Sequence, residues 1–326
     1  MKIVRNKHTI ILNIRKVLFI GWLSFGLLFG TFFYMDIASA VETTFLYNLS
    51  NLNGPVRSNW ANITIDKKRD EIYVVDLSER DVSIYNDTGM EVYRFGEDGS
   101  LGTVVDVAVD DNGNIMVLSK GNSKPSILVC NYRGEHVSVL DIKNLPKDFS
   151  SFMPDRMVFR KGRIYLLDSN AMRIAVTNTK GVFETGYDLA AILEKEEGRG
   201  NTDIGGFSLD PEGNMLFTVP VLFSAFKLTP DGKIASFGKP GSAPGRFGLV
   251  GGIVADDNGN YYVADRLKCV ILIFDKDFQF QLEFGYRGLG PRNLIGPNEI
   301  ALDRQGRLYV SQLRNRGVSV FKITYP

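Results

Sequence analysis

Six segments of this chain repeat one pattern: an alternating apolar run, a tight polar turn, and a second apolar run. They begin at Ile63, Val107, Met157, Phe207, Ile253 and Ile300, and the fifth reads Ile-Val-Ala-Asp-Asp-Asn-Gly-Asn-Tyr-Tyr-Val-Ala-Asp265. The residues that open the turns (Asp66, Asp110, Phe159, Asp210, Asp256 and Asp303) are spaced by 44, 49, 51, 46 and 47 residues. Two further strand-like runs follow each pair, as at Val82–Asn86 and Glu91–Phe95. Four short strands at a period near 45 residues predict an all-β, six-bladed propeller of four-stranded antiparallel blades. The blades are expected at about 55–96, 103–141, 153–188, 204–238, 250–285 and 297–326. The sixth repeat has no fourth run before Pro326, so residues 43–49 are expected to complete it and remove an open sheet edge.

Residues 1–40 read differently. Lys2, Arg5, Lys7, Arg15 and Lys16 precede an uncharged apolar run from Val17 to Met35, and Ala38-Ser-Ala40 follows. Basic, apolar, then small-x-small is the pattern of a secretory signal peptide, cut after Ala40. The alternative is an uncleaved anchor, since the run just reaches bilayer thickness. The expected product is an exported, periplasmic or extracellular monomer with no stable membrane span. The chain's 38 Lys+Arg against 37 Asp+Glu become a net −3 once those forty residues are set aside. That balance argues against nucleic acid as a partner. Cys130 and Cys269, the two cysteines, are read as small buried hydrophobes.

Asp110-Asp-Asn-Gly-Asn114 and Asp256-Asp-Asn-Gly-Asn260 have the composition of calcium loops but not the spacing. An EF-hand loop places its glycine at position six after an acid at position one. Counting back from Gly113 and Gly259 reaches Ala108 and Val254, so these segments are read as hairpin turns.

The stretch from Phe237 through Gly-Lys-Pro-Gly-Ser-Ala-Pro-Gly-Arg-Phe-Gly-Leu-Val-Gly-Gly-Ile-Val-Ala to Asp256, continuing to Asp265, resembles the NHL-repeat family. Repeats five and six match it best, and repeats three and four only by pattern. The resemblance spans 43–326 and implies the six-bladed ring. It also implies a platform for protein or RNA, with lactonases and lyases among related propellers.

NHL repeats usually carry glycine four residues before the turn-opening residue. Here that position reads Asn62, Asp106, Asp155, Gly206, Gly252 and Glu299. In a closed ring Glu299, Asn62, Asp106 and Asp155 stand on consecutive blades at one channel mouth. Such a hard-oxygen set suits Ca²⁺ and is similar to the Glu/Asn/Asp site of gluconolactonase-like propellers. The alternative is an acidic mouth whose side chains cap nearby backbone amides.

The loops between second and third strands open on the same face. Five carry bases: Arg80, Lys124, Arg173, Arg266 with Lys268, and Arg314 with Arg316. They are expected either to form a rim that receives a protein or glycan, or to pair with Asp76, Asp168 and Asp265 at the ends of second strands. Asp188 to Gly198 reads as a short capped helix on this face, and Asp141 to Phe152 as an irregular loop. Of the two histidines, His8 lies in the leader and His136 on an outer strand. No nucleophile elbow, zinc-helix motif or phosphate loop is present, so no catalytic residue is assigned. Two functions stay open: a non-catalytic scaffold for a protein or glycan, and a calcium-dependent lactonase or similar hydrolase.

Overall fold

Each repeat closes its first turn with its own side chains, and this fixes the strands. Asp110 Oδ1 accepts hydrogen bonds from the backbone N–H groups of Asn112 and Asn114, both at 2.8 Å, and Oδ2 accepts from Asn114 Nδ2. Gly113 sits at φ +91°, a conformation that glycine reaches without strain. Asp210, Asp256 and Asp303 bind their turns in the same way. The calcium-like segments are therefore hairpin turns whose carboxylates are occupied by backbone.

The computed structural model describes residues 41–120, 125–197 and 202–325. The secretory leader expected at 1–40 lies outside the described residues. Val41–Thr324 forms one unit of six four-stranded antiparallel sheets, a six-bladed propeller. Blade one runs Asn62–Asp66, Glu71–Asp76, Asp81–Tyr85 and Glu91–Phe95, from the channel outward. The inner strands of the next four blades are Thr103–Val109, Arg156–Arg160, Gly206–Leu209 and Val250–Ala255. Blade six is built from Ile300–Leu302, Arg307–Ser311 and Val318–Thr324, and Glu42–Asn48 supplies its outer strand. That closing strand pairs antiparallel from Glu42 opposite Thr324 to Asn48 opposite Ser319. It begins one residue earlier than the sequence pattern suggests.

Alternation along each strand sends one apolar set to the blade before and the other to the blade after. In blade one, Val74 and Tyr85 pack with Tyr309 and Val320 of blade six, while Val75 and Ile84 pack with Val107 and Val117 of blade two. Phe237 lies flat on Phe278 at 4.6 Å and edge-on to Phe274 at 5.1 Å, joining blades four and five. Full burial of each such side chain is worth about 1.5–3 kcal/mol, so the seams hold the ring. Cys130 and Cys269 are buried free thiols, as the sequence suggests.

The helix is Leu189–Glu197, capped by Asp188 Oδ1 on the Ala191 N–H at 3.0 Å. Leu189 and Leu193 bury against Met172 and Ile204, so the helix covers the seam between blades three and four. The 141–152 connection carries a 3₁₀ turn, Lys147–Phe149, and packs Phe149 and Phe152 against blades two and three. Among the described residues, no helix is long and apolar enough to cross a membrane.

Candidate functional site

The six inner strands begin at the mouth on the loop-rich end of the ring. Asn62 is buried there, and its Nδ2 donates to the Val105 carbonyl of blade two at 2.6 Å. Asp106 is buried as well. Its Oδ1 accepts from the Val107 N–H at 2.9 Å, and its Oδ2 from the Met157 N–H of blade three at 2.7 Å. Asp155 is half-buried and accepts from the Ser169 hydroxyl at 2.8 Å. Glu299 is buried with Oε2 unpartnered, as is Asn62 Oδ1.

The sequence reading missed a guanidinium among them. Arg156, adjacent to Asp155, lies in the field of Glu299, Asp106 and Asp155. Burial disfavours its charge, and the three carboxylates outweigh that and raise its pKa. Burial pushes the Asp106 carboxyl up to about 7 against the pull of Arg156 and its two amide donors, and it also pushes Glu299 up. Among the described residues, no three His, Cys, Asp or Glu side chains gather as metal ligands. Asp106 has both oxygens on backbone amides and Arg156 supplies the positive charge, so the Asn62, Asp106, Asp155 and Glu299 set does not fit a calcium ion. Asp106 and Asp155 accept from neighbouring backbone amides, whereas Glu299 Oε2 and Asn62 Oδ1 have no partner among the described residues.

A residue expected on the basic rim instead borders the mouth through a contact that the sequence did not reveal. Arg266 stacks over the Trp60 ring, 5.3 Å from its centroid, and Trp60 Nε1 donates to the Gly296 carbonyl at 2.8 Å. Burial lowers the Arg266 pKa. Below the mouth a cavity of about 390 Å³ runs along the inner strands, lined by residues 63–68, 108–111, 157–161, 207–209, 254–255 and 299–302. It reaches from the tight turns to Glu299. The lone histidine of the described residues, His136, is exposed on the outer strand of blade two, away from this channel.

Most cations of the expected rim have internal partners. Lys268 Nζ meets Glu283 Oε2 at 2.7 Å and two loop carbonyls at 3.1 Å. Arg173 pairs with Asp188 at 3.3 Å, donates to the Asp148 carbonyl and lies over Phe149. Arg316 donates to the carbonyls of Leu289, Gly290 and Asn293. Arg80 and Arg314 are exposed at left-handed φ of +62° and +58°. Lys124 lies outside the described residues. The expected pairing with strand-end aspartates is corrected: these carboxylates hold loop amides instead. Asp76 accepts from Ser78 at 2.8 Å, Asp168 from Met153 at 2.7 Å, and Asp265 from Lys268 at 2.9 Å, all through backbone N–H groups.

The loop face also carries apolar side chains that the strand pattern did not reveal. Leu267 and Leu289 are 74% and 80% exposed, and Leu77, Phe223 and Tyr286 are exposed as well. They come from loops of blades one, four and five and from the connection between blades five and six. Leu52, also exposed, belongs to the hairpin that joins the turn between the third and fourth strands of blade one, where Ser50 N–H donates to the Gly89 carbonyl. Isolated exposed leucines are ordinary, but five apolar side chains on the loops of one end form a distributed apolar surface.

No protein-family model matches the chain, and no curated protein matches it in sequence. Solved structures do match. Virginiamycin B lyase from Staphylococcus aureus superposes with a TM-score of 0.56 at 12% identity, covering 85% of this chain and 87% of that one. A gluconolactonase from Xanthomonas campestris gives 0.56 at 13% identity, covering 88% and 92%. An auxiliary nutrient binding protein from Bacteroides ovatus gives 0.58 at 14%, covering 88% and 78%. At such identities the likeness defines the fold, a six-bladed β-propeller shared by enzymes and binding proteins.

Proposed function

We propose that this chain is an exported NHL-type propeller that works without catalysis, docking a protein partner on its loop-rich face. Residues 1–40 direct it out of the cytoplasm, and the ring acts as a monomer. The exposed apolar set of Leu77, Phe223, Leu267, Tyr286 and Leu289 carries this reading. Aliphatic and aromatic side chains around a rigid rim favour a protein surface over a glycan. Arg80 and Arg314, exposed among them, select a partner with acidic residues at its edge. The channel mouth supports the non-catalytic part, since Asp106 braces two backbone amides and the charge of Arg156 offsets the carboxylates.

The test is site-specific photo-crosslinking in intact cells, with the crosslinker at Leu267 or Leu289 and at Tyr132 on the opposite face as control. One protein adduct is expected at the first two positions, and it should be lost when Arg80 and Arg314 are both changed to Glu. An adduct of equal strength at Tyr132, or none at 267 and 289, would overturn docking. A carbohydrate adduct would replace the protein partner with a glycan.

A further inference from the structure

Blades one and six depart from the other four in the third strand. In blade six Ser319 opposes Val310 and is bonded to Gln312 and Asn48, so the unsatisfied departure is in blade one. In blades two to five, the third-strand residue opposite the middle of the second strand is apolar: Leu128 faces Val117, Ala175 faces Leu166, Phe226 faces Phe217 and Leu272 faces Val263. The matching residue in blade one is Ser83, opposite Val74, and Asp81 precedes it on the same face. Blade one therefore turns a polar surface toward the segment that leads in from blade six. Between them lies a pocket of about 420 Å³, bordered by Asp81, Ser83 and Arg94 of the blade and by Asn51, Asn53 and Arg57 of the segment.

Asp81 is 2% exposed. Its Oδ2 meets Arg94 Nη1 at 3.1 Å, but Oδ1 has no partner among the described residues. Arg94 does not balance it fully, because Glu91 takes the same guanidinium through two bonds, at 2.8 and 3.1 Å. Asp76 and Glu79 also border the pocket. Asp76 Oδ1 is engaged by the Ser78 and Glu79 amides, so Asp81 Oδ1 is the buried acceptor left over. Burial pushes the Asp81 carboxyl up even beside Arg94, as expected of an anion short of a counter-ion.

Three carboxylates against Arg57 and Arg94 leave the lining net negative, which disfavours an anionic ligand. A bare metal ion is a poor occupant of a space this large, and no metal-ligand group gathers among the described residues. A primary ammonium carries one positive charge and three donors, which matches one buried carboxylate oxygen with hydroxyl and amide oxygens around it. We propose that this seam pocket binds an aliphatic primary ammonium, with Asp81 as its counter-ion and Ser83 as a second acceptor. The site adjoins the proposed docking face, since the loop from Asp76 to Asp81 that borders it also carries Leu77 and Arg80, but it is argued from the pocket alone.

Calorimetry on the full-length protein tests it with four probes: 1,4-diaminobutane, an acetyl-Gly-Lys-Gly-amide peptide, neutral 1,4-butanediol and calcium chloride. One or both amines should bind saturably, and the tighter one identifies a free diamine or a lysine side chain as the source. Asp81→Asn should weaken that binding at least about tenfold. Ser83→Leu, which copies blades two and five, should fill the pocket and abolish binding while the ring stays folded by circular dichroism. Should Asp81→Asn fail to fold, Ser83→Leu decides alone. No saturation by about 10 mM amine, equal affinity in the variants, or butanediol or calcium binding as tightly as the amines would overturn the proposal.

Discussion

Blades one to three and blades four to six join at the channel mouth by different means. On the first side polar side chains bridge the gap: Asn62 reaches the Val105 carbonyl, and Asp106 reaches the Met157 amide. On the other side the backbones themselves touch. A Cβ on Gly206 would lie 2.5 Å from the Gly251 carbonyl oxygen, and one on Gly252 would lie 2.6 Å from the Asn298 oxygen. Gly252 N–H donates directly to that oxygen at 2.7 Å. Both halves solve one problem, holding neighbouring inner strands in register around a hole. Glycine does so by removing a side chain, and Asn or Asp by spanning a wider gap with one. The departure from glycine in blades one to three is thus a different joint in the same ring.

The glycine joint should be the harder one to alter. Gly252→Ala and Gly206→Ala each put a methyl group into backbone that has no rotamer to yield, so unfolding in denaturant should show a loss of about 3 kcal/mol or more. A loss below about 1 kcal/mol would mean that the two halves are equally adaptable. The side-chain joint fails by another route. Asp106→Ala leaves the Val107 and Met157 N–H groups buried without an acceptor, at a cost of about 2–4 kcal/mol.

Asp106 also gives that joint a pH dependence that the glycine joint lacks. Its folded pKa of about 7 lies above the unfolded value near 3.9. Between these limits the unfolded chain has released the proton while the folded chain keeps it. The contribution is therefore complete below about pH 4 and is lost as pH rises through 7. The wild-type denaturation midpoint should fall from pH 5 to pH 8 by on the order of 2 kcal/mol of stability. Asp106→Asn should flatten most of that slope. Buried Glu299, shifted in the same direction, accounts for what remains.

The fold was legible because its signals are local and repeated. Alternating runs, Asp-x-x-Gly-Asn turns and a fixed period each specify a strand pair without reference to distant residues. The mouth was legible only as a set of positions. Spacing placed Asn62, Asp106, Asp155 and Glu299 on one rim, but it could not show that the charge of Arg156 reaches the acids of the other blades, because that depends on how blade three meets its neighbours. The basic rim misled for a similar reason. Lys268 lies in a loop and Glu283 on the fourth strand fifteen residues later, so their pairing appears only once that strand folds back. The apolar loop residues carried no periodic signal at all, since a leucine in a loop has no strand to give it a face.

The smallest effect offers the finest test of the two joints. Asn62 makes one bond across the seam, to Val105, and its Oδ1 has no partner among the described residues. Asn62→Ala removes a bond worth about 1 kcal/mol and strands one carbonyl, but it also relieves a buried amide oxygen that was costing free energy. The net loss should be about 1 kcal/mol or less. Asn62→Gly should cost more than Asn62→Ala if the gap between blades one and two is wide, because added backbone freedom brings no closer contact. If Asn62→Gly is instead the more stable of the two, the blades have closed onto one another as blades four and five do. The contrast between the halves would then belong to the side chains rather than to the spacing of the ring.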